Sequence, residues 1–485
     1  IQSNESVKFV QLFDVLDKQK EYPEEHIYKK IPSLKKSQLS NIKAHLYKQL
    51  LTSLRLIHIA SNLDIQIREN IDYARLLYNK GLYLQSLKLL EKVKTQAKEN
   101  DYSILLLEIL EFEKLIESRH ITRSSGMRAD ELTVETQLLR NQVSSTTDLS
   151  NLALRLYGLY IKVGYARNEK DYFMVKEFFQ ANLPKEHYQS FGIYEKIFWC
   201  QAHVWYNYII QDFLMCYKYA QKWVDLFGAN EKLKEREPDL YMKAMHNLLL
   251  ALFNVRHYNV FCEAFYVLER FVERKKTSFT ENSKVQAFIY VNTNRINKAF
   301  MEGDFTKGIV HISQLDEELK VFKPYLDKHR ILVLYYKMAC LYFGSGDNSK
   351  AIHYLNKVIN FKSENLRQDI QCFARILSLI AHYELGNNEL IEYQLKSVYR
   401  FLSKLDDLHL VQQEILRFLR KTVHIDRKDM RPQFEKLKER MLLLTAHPYE
   451  KRPFLYLDII SWLEAKITGV NVEEIIRSKF LEKLK

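Results

Sequence analysis

The sequence predicts an all-α protein built from antiparallel helix pairs, on three grounds. Gly and Pro are scarce, 12 and 8 among 485 residues, so few positions break a helix or turn a strand. Apolar residues recur at helical spacing, and strand-like alternation is nearly absent. A two-helix unit also recurs along the chain, most clearly over Leu332–Ile359. There Leu332, Tyr335, Tyr336, Ala339, Leu341 and Tyr342 mark one helix, and Ala351, Ile352, Leu355, Val358 and Ile359 the next. Gly344-Ser345-Gly346-Asp347-Asn348 separates them, because Gly accepts the positive φ of a helix exit and Asp, Asn or Ser caps the following helix. Small residues at Ala339 and Ala351 let the two helices approach closely.

Taken in order, Glu5–Lys20 reads as an amphipathic helix through Val7, Phe9, Val10, Phe13 and Leu16, ended by Tyr22-Pro23. Ile31-Pro32-Ser33 makes a second break, with Ser33 or Ser37 as the next cap. Leu39–Ile59 is a long helix carrying Leu46, Leu50, Leu54 and Ile57 on one face. Residues 1–66 do not fit the repeat and are expected to form an N-terminal helical cap. The basic Lys29–Lys36 stretch leaves a small winged-helix-like or helix-turn-helix module as the alternative. Repeats begin near Ile67, where Ala74, Leu77, Gly81, Tyr83, Leu87 and Leu90 reproduce the hairpin, with Ser86 at the small position. Asp101–Glu117 is an apolar helix, Thr122–Gly126 an exposed loop, Asp130–Gln142 a further helix and Ser144–Asp148 a connection. Turns then follow near Lys170, Gln211, Arg256, Gly303, Gly346 and Gly386, at intervals of 40 to 47 residues.

The order small residue, aromatic, turn glycine, small residue, seen in Ala339, Tyr342, Gly346 and Ala351, resembles a tetratricopeptide repeat. Phe213, Tyr258 and Phe305, each two residues after a turn position, match the same pattern. The resemblance implies a right-handed α-α superhelix (solenoid) that binds peptides or partner proteins. The intervals exceed the usual period of about 34 residues, so longer helices or links than usual are expected. The likeness spans residues 67–404. Beyond it, Leu408–Leu419 and Met430–Leu444 read as charged-faced helices separated by Thr422–Lys428. Pro448 and Pro453 bracket a break. Phe454–Ile467, with Leu457, Ile460, Trp462 and Leu463, and Val472–Leu484 complete a segment, 405–485, expected to cap the last apolar face.

Composition restricts the function classes. The net charge of +13 permits acidic partners, nucleic acid or anionic lipid, yet basic and acidic residues are interspersed. The most basic window, Arg417–Arg440, holds nine Lys/Arg against four Asp/Glu. Cys200, Cys216, Cys262, Cys340 and Cys372 stand singly in apolar patterns, as buried thiols of a reducing cytoplasm do. No apolar run reaches the length of a membrane span; Ser103–Leu110 and Leu248–Phe253 are far too short. The chain begins at Ile1 rather than Met, as a trimmed sequence would.

Searches for chemistry return little. Gly344-x-Gly346-x-x-x-Lys350 has glycines and a lysine, but it lacks the preceding strand and the Gly-Lys-Ser/Thr ending of a phosphate loop. There is no His-Glu-x-x-His and no Gly-x-Ser-x-Gly. His246 with His257, or His353 with His382, lacks a third ligand. Glu24/Glu25 and Glu317/Glu318 fall on charged, solvated segments where nothing would move a pKa towards general acid work. No cofactor or metal is expected, and the chain is not expected to be an enzyme.

A binding surface is the remaining expectation. Residues three, six, ten and thirteen before a turn share one face of the first helix in each hairpin. These are Tyr208, Trp205, Gln201 and Phe198; Phe253, Leu250, His246 and Lys243; Phe300, Asn297, Thr293 and Tyr290; and Phe343, Cys340, Tyr336 and Val333. Aromatic rings interleaved with amide and hydroxyl groups suit a groove for an extended peptide or a partner helix. The Lys/Asn arrangement by which some tetratricopeptide proteins hold a terminal carboxylate is not recognisable. The expected function is a non-enzymatic protein-interaction scaffold. A regulatory sensor or nucleic-acid-associated protein using its basic surface is the alternative.

Overall fold

The computed structural model describes residues 7–18, 24–60, 62–120, 127–185, 188–361, 367–404, 409–422, 425, 430–447, 450, 454 and 458–484. Regular structure among them is entirely helical: 24 α-helices and two short 3-10 turns, each helix packed chiefly on its neighbours in sequence. The chain divides into two compact units, 1–144 and 145–485.

In the first unit, α1 (Lys8–Asp17), α2 (Glu24–Lys30) and the first half of α3 (Lys36–Ile59) enclose Leu12, Ile27, Ile31, Leu34, Leu39 and Leu46. The apolar face expected along α3 is covered only as far as Leu46. Leu50, Leu54 and Ile57 are 38%, 49% and 68% exposed, since the core shared with α1 and α2 ends at Leu46 among the described residues. Next, α4 (Leu63–Asn79) and α5 (Tyr83–Glu99) form the expected hairpin, turning at Gly81 with φ 77°. Ser86 occupies the small position and donates its hydroxyl to the Ala74 carbonyl at 2.7 Å, tying the two helices together. α6 (Ser103–His120) adds a third layer, with Lys94 held between Glu113 (3.3 Å) and Glu135 (2.8 Å).

One sequence expectation fails here. Ser144–Asp148 is no connection but the middle of α7, which runs unbroken from Arg128 to Val163. The stretch has neither Gly nor Pro, and hydroxyl side chains in this helix bond back to its own carbonyls, as Thr136 does to Leu132 and Ser150 to Thr147. Hydroxyl-rich composition alone does not end a helix. The expected loop at Thr122–Gly126 and the break between Pro448 and Pro453 lie outside the described residues, as do most of Thr422–Lys428.

The second unit begins with the latter part of α7 and α8 (Glu169–Asn182). The turn expected near Lys170 lies earlier, at Gly164 (φ 78°), and Asn168 caps α8 by accepting from the Asp171 amide at 2.9 Å. Five helix pairs follow. They are α9/α10 (Ile193–Ile209, Phe213–Gly228), α12/α13 (Pro238–Asn254, Tyr258–Lys275), α14 (Glu281–Glu302) with the divided α15 and α16 (Phe305–Val310, Ile312–Phe322), α17/α18 (Lys328–Gly344, Asn348–Ile359) and α19/α20 (Gln368–Glu384, Asn388–Lys404). The extra residues per repeat lengthen helices, notably α14, and insert the short α11 (Glu231–Arg236). All five turns sit at the positions read from sequence. Gln211, Arg256, Gly303, Gly346 and Gly386 each adopt positive φ, between 59° and 87°. The next residue caps the second helix where it is Asp212 or Asp347, which accept from Met215 N and Lys350 N at 3.1 and 3.0 Å. The glycine-rich turn therefore spends its polar groups on helix geometry. Gly344 serves packing, since a Cβ there would lie 2.5 Å from the Phe305 ring.

Four helices finish the unit: α21 (Leu410–Thr422), α22 (Arg431–Thr445), α23 (Ile459–Thr468) and α24 (Val472–Leu484). The first three close on α19 through Tyr383, Phe418, Phe434 and Trp462, whose rings pack edge-on or tilted at 5.3–6.5 Å. The Trp462 indole N–H reaches Glu384 at 2.6 Å.

Candidate functional site

Within the second unit, the first helices α9, α12, α14, α17 and α19, with the end of α7 and one face of α24, line a cavity of about 720 Å³. That volume lies in the range of pockets that enclose a small ligand or a few peptide residues. Of the residues picked from the sequence, Trp205, Tyr208, Lys243, His246, Phe253, Tyr290, Thr293, Phe300, Tyr336 and Phe343 line it, together with Leu250, Val333 and Cys340. Gln201 and Asn297 sit behind the wall and Phe198 does not reach it. The four spacings converge because they select one helix face, and consecutive first helices turn that face the same way.

The walls are aromatic. Trp205 packs against Tyr157 and Tyr160 with ring centroids 4.6 and 5.4 Å apart, and Tyr208 against Tyr160 and Tyr165 at 5.2 and 5.4 Å. His246 stacks on Tyr290 at 4.2 Å and 16°.

A directed chain of hydrogen bonds runs behind the wall. Lys337 Nζ donates to Asn297 Oδ1 at 2.6 Å, and Asn297 Nδ2 to Asn294 Oδ1 at 3.3 Å. Asn294 Nδ2 then donates to both His246 Nδ1 (3.0 Å) and the Tyr290 carbonyl (2.8 Å). A lysine only donates, so every amide downstream is oriented and His246 Nδ1 must accept. His246 is thereby held neutral, and burial with Arg330 and Lys337 nearby pushes its pKa down to about 3. His329, also lining the cavity, is pushed down to about 3 by burial. Lys243 donates to Gln201 Oε1 at 3.1 Å. Burial lowers both Lys243 and Lys337 to about 8, and the Arg330 charge adds to the effect on Lys243. Both remain cationic at neutral pH.

Lys337, Arg330, His329 and the aromatic residues of α7 escaped the sequence reading. Lys337 stands nine residues before Gly346, off the chosen spacing. The available signal was a lone cation inside the apolar run Leu332–Phe343.

α24 borders the same cavity with Val472, Ile476, Phe480 and Leu484, one residue per helical turn. It rests on the α14–α15 turn. Glu473 accepts from the Thr306 amide at 2.9 Å, Arg477 pairs with Asp304 at 3.3 Å, and Phe480 packs edge-on against Tyr258 at 4.7 Å. Gly303 permits that seat, because a Cβ there would lie 2.6 Å from the Arg477 nitrogen.

Among the described residues, no cluster of three His, Cys, Asp or Glu has the geometry of a metal site, and no helix is long and apolar enough to cross a membrane. In the basic Arg417–Arg440 window, Arg417 and Arg440 both pair with Glu414, Lys438 pairs with Glu464 at 3.0 Å and Arg431 with Glu435 at 3.1 Å. Comparison with known proteins finds no matching family model and no matching curated protein.

Proposed function

We propose that this protein is a non-enzymatic interaction scaffold whose second unit binds a short peptide in the aromatic cavity. The carrying observation is the convergence of the first helices of successive hairpins on one cavity with ring-bearing walls and the half-buried amides of Asn254 and Gln286 in its lining. Rings contribute apolar area at low entropy cost, and half-buried amides bond to a peptide backbone. The likeness to tetratricopeptide repeats supports the same reading, with the helix pairs winding as a right-handed superhelix. Five cysteines outside any disulfide, three of them buried, support a cytoplasmic location. The nucleic-acid alternative has less support, because four cations of the most basic window already have carboxylate partners.

Panning a phage-displayed random hexapeptide library on the full chain tests the reading, with affinities of recovered peptides measured by fluorescence anisotropy. Trp205→Ala and Tyr336→Ala should each weaken binding roughly tenfold or more, as removal of a central aromatic anchor does. Because both rings are buried, each truncation also costs about 3–5 kcal/mol of stability, and affinity is compared at a temperature where circular dichroism shows the variant folded. Unchanged affinity in both variants would remove the cavity from the function.

A further inference from the structure

The charges around the cavity do not balance. Arg367 is held by Asp369 through three hydrogen bonds, Arg330 by Asp327 at 3.1 Å, and Lys479 by Glu464. Lys243 and Lys337 have no carboxylate partner among the described residues; each donates to a single side-chain amide. Lys337 additionally lies between the rings of Phe253 and Phe300, 5.5 and 5.4 Å from their centroids. Asp458, the one carboxylate among the described residues that line the cavity, is engaged at the start of α23 by the Ser461 amide and hydroxyl at 3.1 and 2.8 Å. A second orphan is His329, whose Nδ1 is buried with no hydrogen-bond partner. Withdrawing an ammonium from water without a counter-charge is costly, and one amide with two ring faces offsets only part of that cost.

The two lysines also act at different heights along α12. Phe253, whose ring lies against Lys337, is ten residues beyond Lys243 on α12. At 1.5 Å per residue that is about 15 Å along the helix axis. No compact anion spans such a distance, but an extended chain advancing about 3.3 Å per residue covers it in four to five residues.

We propose that the ligand of this cavity is an extended acidic peptide segment, with two Asp or Glu side chains about four residues apart that pair with Lys243 and Lys337 while the residues between them lie on the aromatic wall. The inference rests on the peptide-binding reading and adds the chemistry and spacing of the ligand. Both carboxylates are side chains, so recognition does not require a free chain terminus.

The test uses the full chain and N-acetylated, C-terminally amidated decapeptides of Leu, Tyr and Ser carrying two Glu separated by one to six positions, each with its Gln counterpart. Citrate and inorganic phosphate serve as small-anion controls. Affinity should peak at a separation of four, within one position, and fall at least tenfold when both Glu become Gln. Lys243→Met and Lys337→Met should each erase most of the Glu-over-Gln preference. Equal binding of Glu and Gln peptides overturns the inference and leaves the peptide groove standing. Lysine-dependent binding of citrate or phosphate without any peptide binding overturns both, as does binding by none of the probes. The Glu-to-Gln comparison is made on the unaltered protein, so it decides the matter even where a lysine variant fails to fold.

Discussion

Lys337 shows how one side chain ties stability to function. Its ammonium group releases its proton near pH 8 in the folded protein, against 10.5 for an ordinary lysine. Between those values the unfolded chain binds the extra proton, so this residue costs stability below about pH 8 and the cost fades as pH rises towards 10.5. Lys337→Met replaces the charge with an apolar chain of similar length between Phe253 and Phe300. The ligand-free variant should therefore be more stable than the parent at pH 7, by about 1 kcal/mol, because the half-buried ammonium keeps only part of its hydration. Denaturant titrations at pH 7 and pH 10 check this, and the difference should shrink at the higher value. A variant less stable than the parent at pH 7 would mean the lysine holds the fold together. His246 acts at the other end of the scale. Its folded pKa of about 3 lies below the ordinary 6.5, so the unfolded state takes up the proton first as pH falls. Stability should decline from about pH 6.5 downwards, by up to ~1.4 kcal/mol per pH unit for this group. In His246→Gln that slope should be shallower in melts between pH 7 and pH 4.

At the scale of elements, the glycine turns separate two costs that sequence merges. Gly303 and Gly346 both end a helix with positive φ, but a Cβ on Gly346 would meet open space whereas one on Gly303 would strike the α24 backbone. Gly346→Ala should cost about 1 kcal/mol, the left-handed penalty alone. Gly303→Ala should cost more and also lift α24, which hydrogen exchange would register as faster exchange over Val472–Leu484. Equal costs, with unchanged exchange, would mean that α24 does not sit on that turn. The turns themselves were legible, because apolar helical spacing stops and restarts around each of them, and at Gln211 and Gly346 a capping Asp follows the positive-φ residue. The continuity of α7 and the solvated second half of α3 were not. Local propensity at Ser144–Asp148 was outweighed by helix on both sides, and periodicity along α3 reports an apolar face without reporting whether anything covers it.

For the molecule as a whole the net charge is +13, and in its most basic window, Arg417–Arg440, four of the nine cations are paired with carboxylates. The full chain should leave a DNA duplex unretarded in gel-shift assays at physiological salt, and any retention at low salt should vanish steeply as salt is added. Retention that persists at physiological salt would favour the nucleic-acid reading over the scaffold. Salt should also weaken the acidic peptides more than their Gln counterparts, since only the former depend on the two lysines.

The sequence by itself determined the helix pairs, the five turns between Gln211 and Gly386, and the faces that carry Trp205, His246, Tyr290 and Tyr336. These properties are local, governed by a period of 3.6 residues and by the few residue types that stop a helix. Tertiary structure alone decided that Lys337 lies between rings from α12 and α14, that Asn297 and Asn294 connect it to His246, and that α24 closes on Gly303. Apart from the Asn297–Asn294 step, those contacts join residues 37 or more positions apart, and periodicity names the face a side chain occupies but not what stands opposite it. Whether a lysine is solvated or buried without a counter-charge depends on that opposite surface, and here it separates a helical array from a candidate acidic-peptide site.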